Sequence, residues 1–186
     1  AKIVFDVKCS SLLPKDISEH GGEPIMSRTG HSFIKAKLKE TGAALGGEMS
    51  GHIFFKERWY GFDDALYTGA RLLEILSKTE QTCEQVFADL PDSINTPEIN
   101  IHFDEQGDQF KAMDKLAENV SFEGAEITTI DGVRVDYPNG WGLVRPSNTT
   151  PCLVLRFEAD DEQTLEEIKS NFRTWLENND ISTTDF

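Results

Sequence analysis

Apolar and polar residues alternate in two different ways along this chain, and the change falls near its middle. In the first half, compact apolar runs are separated by amphipathic stretches. Residues 2–7, KIVFDV, combine β-branched and aromatic residues between polar flanks, the pattern of a buried strand. After the polar stretch 14–23 comes a short segment PIMSR, then a helix predicted from about His31 to Glu40. A strand pair follows at roughly 43–48 and 52–59, joined through Gly47 to Gly51. The next helix starts at Asp63 or Asp64, either of which can cap its first N–H groups. Its Leu66, Leu72, Leu73 and Leu76 recur at helical spacing along one side.

Residues 91–97, PDSINTP, place prolines at both ends of a polar stretch and read as a linker or hinge. The expected domains are therefore 1–91 and 92–186. Beyond the linker, EINIHF alternates apolar and polar residues, and a helix follows with Phe110, Met113, Leu116, Ala117 and Val120 on one face. EITTI and VRVDY flank Asp131-Gly132, which suits a type I′ hairpin, and Asn139-Gly140 turns the chain into WGLVR. CLVLRFEA is another strand. A last helix begins near Asp161 and buries Leu165, Ile168, Phe172 and Leu176. The first domain reads as α/β. The second reads as α+β with a mainly antiparallel sheet, because consecutive hairpins are bracketed by two helices.

Composition narrows the function. With 38% hydrophobic and 27% charged residues, the 186-residue chain has the make-up of a soluble globular protein. It shows no membrane-span or signal pattern, and a strand that opens at the first residue suggests a truncated chain. Cys9, Cys83 and Cys152 are odd in number and widely spaced, which fits reduced thiols in the cytoplasm rather than disulfides or zinc. A net charge of −15 argues against nucleic acid and anionic membrane as partners. Any anionic ligand must then be met by locally converging donors.

Two loops carry candidate chemistry. Arg145 to Pro151, RPSNTTP, sits between two predicted strands, and its arginine fork, hydroxyls and backbone N–H groups could cradle a phosphate. A polar turn with an incidental arginine would read the same way. In GGEMSGH, Glu48, Ser50 and His52 alternate, so an extended segment would point all three to one side, as recognition of vicinal sugar hydroxyls requires. A glycine-rich hairpin facing solvent is the plainer alternative. Gly47-Glu48-Met49-Ser50-Gly51 is not the G-x-S-x-G elbow of a serine hydrolase. His20, His31, Glu48 and His52 lack metal-ligand spacing, which leaves a metallohydrolase a distant third and a metal site unsupported. His31 opens a predicted helix, where an anion is favoured, and could transfer a proton or simply face solvent. Lys8, at the end of the first strand, could meet a phosphate or water.

Taken in order, DVKCS at 6–10, SRTGH at 27–31, GGEMSGH at 46–52 and RPSNTTP at 145–151 resemble the phosphomannomutase/phosphoglucomutase type of the α-D-phosphohexomutase family. FFKERWYGFDDALYTGARLLEIL and CLVLRFEAD extend the resemblance over essentially the whole chain. The resemblance implies the third domain and the fourth domain of a four-domain mutase. The former would be an α/β mixed-sheet domain, the latter a mainly antiparallel four-stranded sheet with two helices, TATA-box-binding-protein-like. The implied enzyme interconverts hexose 1-phosphates and 6-phosphates of glucose and mannose through a phosphoserine and a bisphosphorylated intermediate, with Mg²⁺. Glu48, Ser50 and His52 would then hold sugar hydroxyls, and Arg145, Ser147, Asn148 and Thr149 the phosphate that is not reacting. Lys8 and His31 would line the cleft, with His31 and His52 as acid/base candidates.

The chain departs from that family in what it lacks. It contains no T-x-S-H-N-P serine loop and no D-G-D-x-D-R metal loop, and no helix precedes its first strand. The expected fragment therefore binds phosphosugar without turning it over, the Mg²⁺ site and nucleophile belonging to absent N-terminal domains. A stand-alone, non-catalytic sugar-phosphate-binding module is the alternative.

Overall fold

The computed structural model describes residues 1–118, 120–184 and 186. They form two compact units, Ala1–Asp92 and Ser93–Phe186. In the first unit, β1 (Lys2–Asp6), β2 (Glu23–Ser27), β3 (Leu45–Gly47) and β4 (Ile53–Phe55) make one sheet in the order β2-β1-β3-β4. β1 is parallel to β2 and β3, while β4 returns antiparallel to β3. The chain leaves β1 through α1 (Leu12–Glu19) to reach β2, then crosses back over β1 through α2 (His31–Thr41) to reach β3. Right-handed crossovers running in opposite directions put the two helices on opposite faces. Ile34 and Leu38 of α2 pack on Val4, Ala43 and Phe54. Gly46 allows this approach, since a Cβ there would lie 2.8 Å from Ile34 Cγ2.

α1 occupies part of the stretch that the sequence presents as polar and irregular. Ile17 is its one buried residue, so the helix shows almost no apolar period. Pro14 lies in its first turn, where a missing N–H breaks no helical bond. α3 (Ala65–Ser77) begins as expected, with the Asp64 carboxylate accepting from Tyr67 N at 2.9 Å. Its leucine face is another matter. None of its residues is buried, and Leu66 and Leu73 are 89% and 66% exposed. A short helix, α4 (Cys83–Phe87), completes the unit, fixed by a Thr82–Gln85 capping box.

In the second unit, the expected linker is partly sheet. β5 (Ile94–Asn95) pairs with the end of β10 (Cys152–Ala159), beside β6 (Ile99–His102), which pairs with its start. The rest of the sheet runs β10-β9-β8-β7 through β9 (Gly140–Pro146), β8 (Val133–Tyr137) and β7 (Glu126–Thr128). All of these pairings are antiparallel, and six strands take part rather than four. Two helices, α5 (Asp108–Glu118) and α6 (Glu162–Glu177), pack on the sheet. Along α5 only part of the predicted face is covered: Met113 and Leu116 are buried, but Phe110 and Ala117 are exposed, and the polar Gln109 is buried instead. α6 matches its pattern, capped by Asp161 and burying Leu165, Ile168, Phe172 and Leu176, with Trp175 in addition.

One hairpin turn differs from the expected type and the other from the expected position. A type I′ turn needs positive φ at two residues. In the β7–β8 loop Gly132 has φ 75°, while Asp131 does not share it. An added Cβ at Gly132 would collide with the Val144 carbonyl oxygen, so the glycine lets this loop press onto β9. The β8–β9 turn centres on Pro138-Asn139, with Tyr137 paired to Gly140. No helix of the described residues is long and apolar enough to cross a membrane.

Candidate functional site

In an open parallel sheet, loops leaving the carboxyl ends of the strands gather where the chain reverses direction across the sheet. That point lies beside β1, and the loops after β1, β2 and β3 meet there around Asp6. Asp6 is wholly buried. Its Oδ1 accepts from Cys9 Sγ at 3.1 Å and from Met49 N at 3.3 Å, and its Oδ2 accepts from Thr29 Oγ1 at 3.1 Å. A second tie runs from Gly30 N to Glu48 Oε1 at 2.5 Å.

Residues 48–52 form a tight turn, not the extended segment that alternation suggests. Glu48 N donates to His52 O, and Gly51 N to Glu48 O, both at 2.9 Å. Gly51 takes φ 91°, which helps close the five-residue hairpin connection between β3 and β4. Glu48, Ser50 and His52 therefore do not share one side. Glu48 is 6% exposed with one carboxylate oxygen engaged, whereas Ser50 and His52 face outward. His52 Nδ1 lies 2.6 Å from Asp63 Oδ2, a pairing that selects the Nδ1–H tautomer in the neutral ring and leaves Nε2 as the acceptor. His31 is exposed at the first position of α2, after Gly30 at φ 129°, and Lys8 is buried in the loop after β1.

In the second unit, Arg145 ends the regular part of β9 and is 5% exposed. Its Nε donates to Asp131 Oδ2 at 2.9 Å. Asp131, which the sequence presents only as a turn residue, is thus the arginine's carboxylate partner. Arg145 Nη2 has neither a hydrogen-bond partner nor solvent contact. Nε1 of Trp141 and Trp175 and Nε of Arg156 are buried in the same condition, which is costly for any donor and most of all for a charged one.

The following loop is braced from inside. Ser147 Oγ accepts from Thr149 N at 3.3 Å and Thr150 N at 3.2 Å, and it shares a proton with Thr150 Oγ1 at 2.9 Å. Its hydroxyl is committed to the turn, so the exposed side chains are those of Asn148, Thr149 and Thr150. Beneath the loop, wholly buried Gln109 donates through Nε2 to Ser147 O at 3.2 Å and Thr150 O at 3.3 Å. Its Oε1 accepts from Gly107 N at 2.8 Å, which fixes the orientation of the amide. Neither Asp6 nor Gln109 carries a local sequence signal. The most distant partner of Asp6, Met49, is 43 residues away, and the loop carbonyls that Gln109 meets are 38 and 41 residues away.

Among the described residues no three His, Cys, Asp or Glu side chains converge as a metal-binding group. His20 instead bonds Asp16 O at 2.9 Å on α1. On α3 the guanidinium of Arg58 and the ammonium of Lys78 hold Glu74 down to about 2.

The family model "Phosphoglucomutase/phosphomannomutase, alpha/beta/alpha domain III" matches residues 1–94, and "Phosphoglucomutase/phosphomannomutase, C-terminal domain" matches residues 98–174. A phosphomannomutase/phosphoglucomutase of Pseudomonas putida is 61% identical over 95% of this chain and 38% of its own length. A phosphoglucomutase of Neisseria meningitidis is 58% identical over 96% of this chain and 39% of its own length. A crystal structure of a phosphoglucomutase/phosphomannomutase family protein from Burkholderia thailandensis superposes with a TM-score of 0.89 at 52% identity, over 97% of this chain and 38% of that one. The chain thus spans well under half the length of these relatives. With both of its units matched, and matched in chain order, it belongs to the phosphoglucomutase/phosphomannomutase family, as domain III followed by the C-terminal domain.

Proposed function

We propose that the protein to which this chain belongs interconverts hexose 1-phosphates and 6-phosphates of glucose and mannose. On this reading residues 1–91 recognise the sugar hydroxyls and residues 92–186 hold the phosphate that is not reacting. The observation that carries the reading is Arg145, clamped by Asp131 through Nε, next to a loop of exposed Asn148, Thr149 and Thr150. A guanidinium already held by a carboxylate beside that loop loses little conformational freedom when it meets phosphate oxygens. Relatives named as mutases for both glucose and mannose phosphates support the substrate class.

In the sugar loop, Glu48 keeps one carboxylate oxygen on Gly30 N and has the other to accept from a hydroxyl, while Ser50 can donate or accept. Between the acid/base candidates, His52 is the better placed, because Asp63 orients its ring and leaves Nε2 to take or give a proton. Lys8 and His31 stay assigned to the same cleft. Phosphoryl transfer rests on positioning and charge stabilisation, and this chain supplies the positioning. On this reading the phosphoserine and Mg²⁺ are supplied by a segment outside this chain. Reduced thiols and the metabolic role fit the cytoplasm.

Calorimetric titration of the chain with glucose 1-phosphate tests the reading. Binding that is weakened by Asn148→Ala and lost in Arg145→Lys is the expected result. No heat at millimolar ligand, or equal affinity in Arg145→Lys, would count against it.

A further inference from the structure

We propose that Asp6 is the positioning residue of the sugar loop: one buried carboxylate at the end of the central strand sets where Glu48 stands. The inference rests on residues 48–52 being that loop. Asp6 is the last residue of β1, which runs between β2 and β3. A carboxylate buried there must be solvated by protein donors. The three that serve it come one from each loop leaving β1, β2 and β3: the Cys9 thiol, the Thr29 hydroxyl and the Met49 amide.

Two of those contacts converge on Glu48. Met49 N holds the backbone immediately after Glu48 against Asp6 Oδ1. Thr29, held on Oδ2, immediately precedes Gly30, whose N–H meets Glu48 Oε1. Gly30 sits at φ 129°, ψ 129°, a conformation that side chains rarely adopt, so its amide direction depends on how Thr29 is held. Both the main chain and the side chain of Glu48 are therefore referred to one carboxylate. Asn in place of Asp6 can keep Met49 and Cys9 on its oxygen while Thr29 turns its hydroxyl to accept from the amide. Leu, of similar volume, offers nothing to any of the three donors.

The test compares ¹⁵N-labelled wild-type chain with Asp6→Leu, Asp6→Asn and Thr29→Val. Amide exchange is followed at Gly30, Met49 and Val4, and the chains are titrated with glucose 1-phosphate and separately with inorganic phosphate. In Asp6→Leu we expect exchange at Gly30 and Met49 to quicken about tenfold or more, as loss of bonds to a charged acceptor implies, with Val4 unchanged. Glucose 1-phosphate affinity should fall by a similar factor while the response of Ser147 to Thr149 to inorganic phosphate persists, and Asp6→Asn should restore most of both. Unchanged exchange at Gly30 and Met49 in Asp6→Leu overturns the proposal, as does faster exchange with unaltered sugar affinity. Should Asp6→Leu also release Val4, Thr29→Val decides: a faster Gly30 supports the bracing and a wild-type rate refutes it. A wild-type chain that ignores glucose 1-phosphate sinks the sugar reading, and exchange alone then judges the bracing.

Discussion

Loop 48–52 hangs from a carboxylate and loop 147–150 from an amide, and each choice follows from where the loop sits. At the end of a parallel sheet three separate chain segments arrive with donors to satisfy, and the acceptor-only Asp6 collects one from each. Between antiparallel strands a single segment turns back on itself and leaves carbonyls pointing inward, so Gln109, which can donate twice and accept once, suits it better. The cores differ too. α2 seals a small apolar cluster in the first unit, while α5 and α6 cover a continuous one in the second, from Ile101 and Met113 to Phe172 and Leu176. Precise placement of polar groups thus does not depend on a large core nearby. It depends on one buried polar side chain with its partners complete.

The difference between the cores is open to the largest test. Phe172 is wholly buried, and its ring stands 5.1 Å from that of Phe157 and 5.7 Å from that of Trp175. Phe172→Ala is expected to cost about 3–5 kcal/mol in urea unfolding. Leu73→Ala, on the exposed face of α3, should stay within about 0.5 kcal/mol of wild type. Equal losses at the two positions would erase the contrast.

The amide brace comes next. Gln109→Leu takes from Gly107 N and the Ser147 carbonyl the partner that Gln109 supplies and leaves the Thr150 carbonyl only its bond from Cys152 N, which should cost about 1–3 kcal/mol. It should also abolish the response of Ser147 to Thr149 to inorganic phosphate. Gln109→Glu presents a carboxylate to two carbonyls, so at neutral pH it should disturb the loop more than Leu does. A Glu variant with wild-type shifts in this loop would show that the loop is held by its strands alone.

How much of this could be read from the residues follows the same line. β8, β9 and β10 were legible as short apolar runs bounded by turn residues, which the sheet buries almost continuously, and α6 because its burial recurs at every third and fourth residue. α1 was not, because one buried isoleucine makes no period. On α3 the period is present but the described chain buries none of that face. The motif GGEMSGH was found, yet its geometry was misjudged, because a glycine at positive φ turns alternation into a hairpin loop. Asp6, Gln109 and Asp131 stayed hidden for a different reason. Each looks like an ordinary strand-end, helix-start or turn residue until the fold brings in partners from far along the chain.

The exposed α3 face gives a milder expectation. Leu66, Leu73 and Ile75 leave apolar surface in water, which favours self-association. Sedimentation at rising concentration should show it, and Leu66→Glu with Leu73→Glu should reduce it without lowering the unfolding midpoint. A monomer at every concentration would mean that the face is too scattered to pair.

The smallest effect concerns acid, and in the first unit it centres on Glu74. Glu74 accepts from Arg58 Nη1 at 3.1 Å and Nη2 at 2.9 Å, and from Lys78 Nζ at 2.8 Å. These contacts, hydrogen bonding to Arg58 foremost, hold its carboxyl at about 2 against an ordinary 4.5. A group lowered on folding adds stability above its unfolded value, and that stability is lost as pH falls through the folded one. The contribution of Glu74 is thus complete above about pH 5 and drains away towards pH 2. The effect is modest, because the cluster is exposed and water screens it. Arg58 sits at φ 59°, so the bidentate contact also helps to hold a backbone conformation that an arginine does not favour. Melting curves between pH 5 and pH 2.5 should therefore fall more steeply for wild type than for Glu74→Gln, and 0.5 M salt should narrow the gap. Parallel curves would mean that the charges around Glu74 hold loop 56–62 no better than water does.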